Sequence, residues 1–312
     1  MAANVFLGVN QALTWTMSVT AKIDLVGPVN RGLAVGIDEA AGYVGTGLGG
    51  VAAGLLAASF GLRPAPYLLA LGVILMGAAL TWLGARETLP FARAEGRGQP
   101  PSRAPGLRRL FTYMLWQDRT MLAACQAELV NKIADSLVIA IFPLYFLSQG
   151  LTLAAVGLLV GEYALVWGLG QVGSGWLADR LGRKLPIVSG TLLLAVGVVA
   201  ALLGGGGGLS FGAAGAMGVG MALAYPNLLT VVGDTARPSW RGGALGAYRL
   251  CRDSGYALGP LLLALAGIRA AFRLAAALLA LSGVFSLALL QETEPSRRRG
   301  DPAWTRHPDL NG

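Results

Sequence analysis

A run of predominantly apolar residues long enough to cross a bilayer recurs nine times along this chain, at about residues 4–21, 32–60, 66–85, 121–147, 152–177, 186–203, 209–232, 243–267 and 270–290. A hydrocarbon core of about 30 Å takes about 20 helical residues. Backbone groups inside that core have to be satisfied within the segment itself, and the alternating pattern of a lipid-facing barrel strand is absent, so each run reads as a helix. The expected fold class is therefore all-α, a polytopic helical bundle embedded in the lipid bilayer.

Composition agrees: 54% of the 312 residues are hydrophobic and only 13% charged, far from the balance of a water-soluble domain. The net charge of +8 invites a nucleic-acid reading, but the bases are scattered over short loops rather than gathered on one folded surface, so no nucleic acid is expected. When alternate loops are assigned to one side, eighteen Lys and Arg fall together, from Lys22 and Arg31 through the 86–119 stretch to Arg297, Arg298, Arg299 and Arg306. Only Arg63, Arg269 and Arg273 fall on the other side, and Lys132, Arg249 and Arg252 lie within helices. The positive-inside rule then places the basic loops and the C-terminus in the cytoplasm, with the protein in the plasma (inner) membrane.

The start, Met1-Ala2-Ala3-Asn4, has neither a basic n-region nor a cleavage site, so no signal peptide is expected. Cys125 and Cys251 fall in apolar runs without metal-ligand spacing and read as free thiols. His307 lies in the polar tail with no acid or Cys arranged around it, so neither a metal site, a cofactor nor an enzymatic nucleophile is expected.

Between the fifth and sixth runs stands Gly175-Trp176-Leu177-Ala178-Asp179-Arg180-Leu181-Gly182-Arg183-Lys184. Its charges keep it out of hydrocarbon and at a membrane surface. Asp179 is suited to take charge-assisted hydrogen bonds from a neighbouring helix end, while Arg180, Arg183 and Lys184 hold the cytoplasmic side. These residues resemble the G-x-L-A-D-R-x-G-R-K loop signature of the major facilitator superfamily of secondary transporters. The resemblance implies a bundle of that family, with Gly175, Asp179, Arg180, Gly182, Arg183 and Lys184 forming its second copy of the loop, between family helices eight and nine.

A further stretch, Gly45-Thr46-Gly47-Leu48-Gly49-Gly50, resembles the G-P-x-x-G-G signature of that family's proton-coupled exporters, with Thr46 where Pro is expected. Gly255-Tyr256-Ala257-Leu258-Gly259-Pro260 is a partial echo. Gly45, Gly49, Gly50, Gly255 and Gly259 are expected to let helices approach closely.

The Pro- and Arg-rich connection splits the chain. The expected domains are 1–85 (three helices of a partial first bundle), 86–119 (a cytoplasmic central loop), 120–291 (a six-helix bundle) and 292–312 (a polar tail). An internal repeat supports two related halves. At an offset of 210 residues, Thr20, Asp24, Pro28, Arg31, Gly32, Gly36, Gly45, Gly49 and Arg63 superpose on Thr230, Asp234, Pro238, Arg241, Gly242, Gly246, Gly255, Gly259 and Arg273. The same offset places the first copy of the signature loop ahead of Met1, so the chain is expected to begin at the family's fourth helix and to lack the first three.

Charged residues inside the runs are the candidates for chemistry. Glu128, Asn131, Lys132 and Asp135 share one helical face, which reads either as the lining of a pathway or as a self-neutralising clasp between helices. Glu162 has no base nearby in sequence and suits carriage of a proton; the alternative is pairing with Arg249 or Arg252. Arg249, Arg252 and Asp253 share a face of the eighth run, and the repeat partner of Arg249 is Glu39, beside Asp38. Opposite charges at equivalent positions suggest a charge-balanced central cavity. The function expected is secondary active transport of a small organic solute by alternating access, as proton-coupled efflux. The alternative is a truncated, non-transporting remnant or a membrane interaction subunit.

Overall fold

The computed structural model describes residues 2–61, 63–97, 105–205 and 207–294. Everything regular in it is helical, and among the described residues there is no strand. Helix α1 runs from Ala2–Asn10 through a π-helical turn, Gln11–Trp15, into Thr16–Val26. Then come α2 (Arg31–Phe60), α3 (Ala65–Gly84) and two short helices in the central connection, α4 (Leu89–Glu95) and α5 (Leu107–Thr112, followed by a π-helical turn, Tyr113–Gln117). Helix α6 spans Arg119–Ser148 with a π-helical turn at Leu137–Ile141, just ahead of Pro143, which has no amide hydrogen to donate. The remainder are α7 (Leu153–Leu181), α8 (Lys184–Leu203), α9 (Gly208–Thr235), α10 (Arg241–Ala266) and α11 (Ile268–Leu289).

Seven of the described helices are long and apolar enough to cross a membrane: α2, α3, α6, α7, α8, α9 and α11. The other two expected spans, α1 and α10, are helical but fall short of that measure. Polar residues around a π-turn interrupt α1, and α10 carries Arg241, Arg249, Arg252 and Asp253. The Cys-containing runs, the tail beyond 294, which includes His307, and the 98–104 stretch divide differently: Cys125 and Cys251 are free thiols, whereas the tail and that stretch lie outside the described residues.

Three helix N-termini are capped by carboxylates, one from the adjoining residue and two from distant parts of the chain. Asp118 caps α6, its Oδ1 accepting from the Met121 amide at 2.8 Å. The first amides of α2 find their acceptor on α7: Gly32 and Leu33 donate to the two carboxylate oxygens of Asp179 at 2.9 and 2.8 Å. Glu292, just past α11, accepts from the Arg183 and Lys184 amides at 2.8 and 3.2 Å and so caps α8. Carboxylates at helix N-termini are favoured by both hydrogen bonding and the helix dipole.

The core is built by α6 through α11. Helix α9 packs between α7 and α8, and α6 lies against α10 and α11. Helix α2 joins this assembly by crossing α7 at its first two turns, where backbone meets backbone. A methyl added to Gly32 would stand 2.6 Å from the Gly175 carbonyl, and one added to Gly36 would run into the Gln171 carbonyl. Beyond that crossing the helices diverge. Among the described residues, nothing lies within 4 Å of where Cβ would stand on Gly45, Gly47, Gly49 or Gly50. The close approach expected at Gly45, Gly49 and Gly50 is thus made instead at Gly32, Gly36 and Gly175, and the last contact of α2 with α7 along this face is Tyr43 against Trp167 and Gly168. Gly255 and Gly259 do lie in tight contact, against Leu129, Lys132 and Ser136 of α6. Helix α3 has no buried residue.

Candidate functional site

Where α1, α2, α6, α7, α9 and α10 converge, six ionisable side chains are gathered out of solvent: Glu39, Glu128, Lys132, Asp135, Arg249 and Arg252, three acids against three bases. Glu39 of α2 and Arg249 of α10 meet at 3.3 Å, so the two repeat-related positions touch each other. Trp15 Nε1 donates to both Glu39 oxygens at 2.9 Å, and the Tyr225 hydroxyl donates at 2.9 Å. Lys132 pairs with Asp135 at 2.9 Å, one turn along α6, and Tyr163 and Tyr256 both donate to the same carboxylate. This subset is saturated with partners.

Glu128 is held differently. Arg252 Nε approaches it at 3.4 Å, but neither Glu128 oxygen accepts a hydrogen bond among the described residues, although the side chain is fully buried. Both polar atoms of neighbouring Asn131 are likewise without a partner. Buried carboxylates are ordinarily hydrogen-bonded, so among the described residues Glu128 stands out as the acid of the cluster with unused acceptor atoms. Asp253, next to Arg252 at 3.3 Å, is half exposed.

Rings enclose the charges. Lys132 Nζ stands 4.4 Å from the Trp167 ring centroid, 5.0 Å from Tyr225 and 5.2 Å from Tyr256, and Arg252 lies 5.0 Å over Tyr225. Tyr43 meets Trp15 and Tyr225 edge to face and Trp167 at a tilt, 4.1 Å between ring centroids. Such a lining offers flat apolar contact together with cation–π and hydrogen-bonding capacity.

A second network closes the end of the bundle that carries the basic loops. Arg31 pairs with Asp234 at 3.0 Å, and Arg241 pairs with Asp24 at 2.6 Å. These four are two repeat-related couples, exchanged crosswise between α1–α2 and α9–α10. Glu95, at the end of α4, joins both arginines, at 2.5 Å to Arg31 and 2.8 Å to Arg241. Arg183 ties the signature loop in, 2.5 Å from Asp179 and 3.3 Å from Asp234. Burial by itself would raise the Glu95 carboxyl, but the Arg241 and Arg31 guanidiniums outweigh it and hold it below the usual carboxylate range. A depressed carboxylate stabilises the fold above its unfolded value, near pH 4.3, and that contribution is lost as pH falls through the lower, folded value. The two bridges that Glu95 makes to Arg31 and Arg241 are therefore expected to persist in mild acid and to weaken only below the usual carboxylate range. Spin-label distances between α1 and α9 at this end, followed from pH 7 to pH 3, check this.

A model of the Major Facilitator Superfamily matches this sequence twice, over residues 1–260 and 127–311. The chain belongs to that superfamily. The quinolone resistance protein NorA of Staphylococcus aureus is 28% identical over 167 residues, which are 53% of this chain and 43% of NorA, so the match spans less than half of that relative. Among solved structures, the human organic anion transporter MFSD10 superposes with a TM-score of 0.66 at 21% identity, covering 87% of this chain and 67% of that one. The proton:xylose symporter XylE gives 0.63 at 15% identity, covering 91% of this chain and 68% of its own. The chain is thus a multi-pass membrane protein with the superfamily's fold.

Within that fold, Glu39, Glu128, Asn131, Lys132, Asp135, Arg249 and Arg252 come together. Glu162 does not join them: it is half-buried on the α7 face towards Gly215 of α9. Of the signature loop, Asp179 and Arg183 enter the closed end, whereas Arg180 lies 3.9 Å over the Trp176 ring. Sequence reasoning passed over Tyr43, Tyr256 and Glu95. The first two carry no periodic mark of their own, and Glu95 sits in a connection read as plain loop; its spacing from two repeat-related arginines exists only in three dimensions.

Proposed function

We propose that this chain works as a secondary active transporter that exports a small organic solute against protons by alternating access. The observation that carries the reading is the unequal contact of α2 with α7. At one end their backbones touch at Gly32, Gly36 and Gly175 beneath a charged network, and beyond Tyr43 the glycines of α2 meet nothing within 4 Å among the described residues. In this reading the buried, charge-balanced site is closed on the side of that network, as one half-cycle of alternating access requires. The basic end is the cytoplasmic one in this reading, by the positive-inside rule. The division at residues 86–119 then separates the two rocking parts, 1–85 and 120–291, with α4 and α5 as their bridge.

The proton falls to Glu128 rather than Glu162, because Glu128 is buried at the centre with unused acceptor atoms. A solute group and a proton competing for one carboxylate make the two fluxes opposite in direction. The aromatic lining suits a flat drug-like solute, in keeping with the quinolone resistance named for the NorA relatives. In proteoliposomes an imposed pH gradient is expected to drive flux of such solutes, and Glu128→Gln to reduce it at least about a hundredfold, as loss of an essential proton carrier does. Gradient-driven flux in Glu128→Gln equal to that of the parent would sink the assignment. A membrane interaction subunit is the second reading, favoured by the unburied surface of α3; a well-folded chain with no flux for any solute supports it.

A further inference from the structure

We propose that the outer face of α5 is a binding site for anionic phospholipid. One face of this short helix is fixed to the bundle: Leu110, Tyr113 and Met114 are buried, Tyr113 packs edge-on against Trp240 at 5.7 Å, and its hydroxyl donates to Asp118 at 2.8 Å. The opposite face carries Arg108, Thr112 and Trp116, one turn apart, and Arg119 follows at the start of α6. Trp116 is 84% exposed and Leu107 71% exposed, while Arg108 and Arg119 are exposed and have no ion-pair partner among the described residues.

A bare indole between unpaired guanidiniums, on a helix lying at the end of a membrane bundle, has the composition of an interfacial anchor. The ring sits at headgroup depth, and the arginines reach the phosphate layer as bidentate donors. What selects the occupant is charge. A zwitterionic headgroup offers these arginines no net attraction, whereas each base near an anionic leaflet enriches acidic lipid about fivefold. Helix α4 adds to the same field, with exposed Arg93 and Arg97 beside half-exposed Leu89 and Phe91. Its inner residue Glu95 holds the arginine network closed, so lipid bound on the outer faces of these two helices bears on the connection that bridges the closed end.

The experiment uses the full chain in vesicles in which either phosphatidylglycerol or phosphatidylcholine carries brominated acyl chains. The Trp116 signal is taken as the difference between the parent and Trp116→Phe. Brominated phosphatidylglycerol is expected to quench it with an apparent affinity at least about fivefold above that of brominated phosphatidylcholine, an excess that disappears in about 1 M salt. The double variant Arg108→Gln/Arg119→Gln should lose the excess while Trp116 stays at the interface, and Arg108→Lys/Arg119→Lys should keep most of it. Equal quenching by the two lipids, or an excess that survives removal of both arginines, overturns the proposal and leaves Trp116 as a neutral anchor. Solute flux plays no part in this readout, so it stands or falls apart from the transport assignment.

Discussion

Substituting Glu39 by Arg is expected to destabilise the folded protein by about 3–5 kcal/mol, the usual result of leaving a buried charge without its partner. In that variant two guanidiniums face each other between α2 and α10, where Glu39 and Arg249 now stand 3.3 Å apart. Adding Arg249→Glu in the same chain should recover most of the loss, because the two positions are related by the repeat and the pair is merely turned around. Recovery will be incomplete. Trp15 Nε1 now donates to Glu39 and has no use for a guanidinium, and an unsatisfied buried donor costs about 1–3 kcal/mol. The measurement is the apparent melting temperature of the three variants in detergent. A double variant no more stable than Glu39→Arg alone would show that the pair is not the contact that matters there.

Gly175→Ala should hold the basic end of the bundle open. Its new methyl would stand 2.6 Å from the Gly32 carbonyl carbon, against backbone that cannot rotate away. Overpacking of this kind costs about 1–3 kcal/mol. It also pulls Asp179 away from the Gly32 and Leu33 amides that it caps. Spin-label distances between α2 and α7 at this end should lengthen, and pH-driven flux should fall by about tenfold or more. Gly173→Ala is the matched control: the same change on the same helix, at a place where nothing lies within 4 Å of the new methyl. Identical distances in the two variants would mean that the glycine contact does not set the closure.

Much of this was legible in the sequence. The signature loop fixed the family, the 210-residue offset related Glu39 to Arg249 and Asp24 to Asp234, and the stripe of Glu128, Asn131, Lys132 and Asp135 appeared as one face of a helix. Those features are local or periodic, so a linear reading reaches them. Which helices touch, and where along their length, is not periodic. The glycines of α2 look alike in sequence, yet Gly32 and Gly36 meet α7 and Gly42 meets Trp15, whereas Gly45, Gly47, Gly49 and Gly50 meet nothing within 4 Å among the described residues, because contact depends on the tilt of α2 against its neighbours. Tyr43 and Tyr256 become site residues only through the convergence of separate helices. The count of nine spans was set by apolar length. Two of the nine fall short of it: α1 is diluted by polar residues around its π-turn, and α10 carries Arg241, Arg249, Arg252 and Asp253.

The crosswise exchange of Arg31 with Asp234 and of Arg241 with Asp24 also constrains descent. Each repeat supplies an acid to the other's arginine, while Glu95 and Arg183 hold the same ions from the connection and the signature loop, so either copy inherited alone would lose one ion pair at each arginine. A charge reversal at Asp24 must be answered some two hundred positions downstream, at Arg241, and one at Arg31 at Asp234. Once a duplicated ancestor had adopted this exchange, its two copies were bound to diverge as a pair.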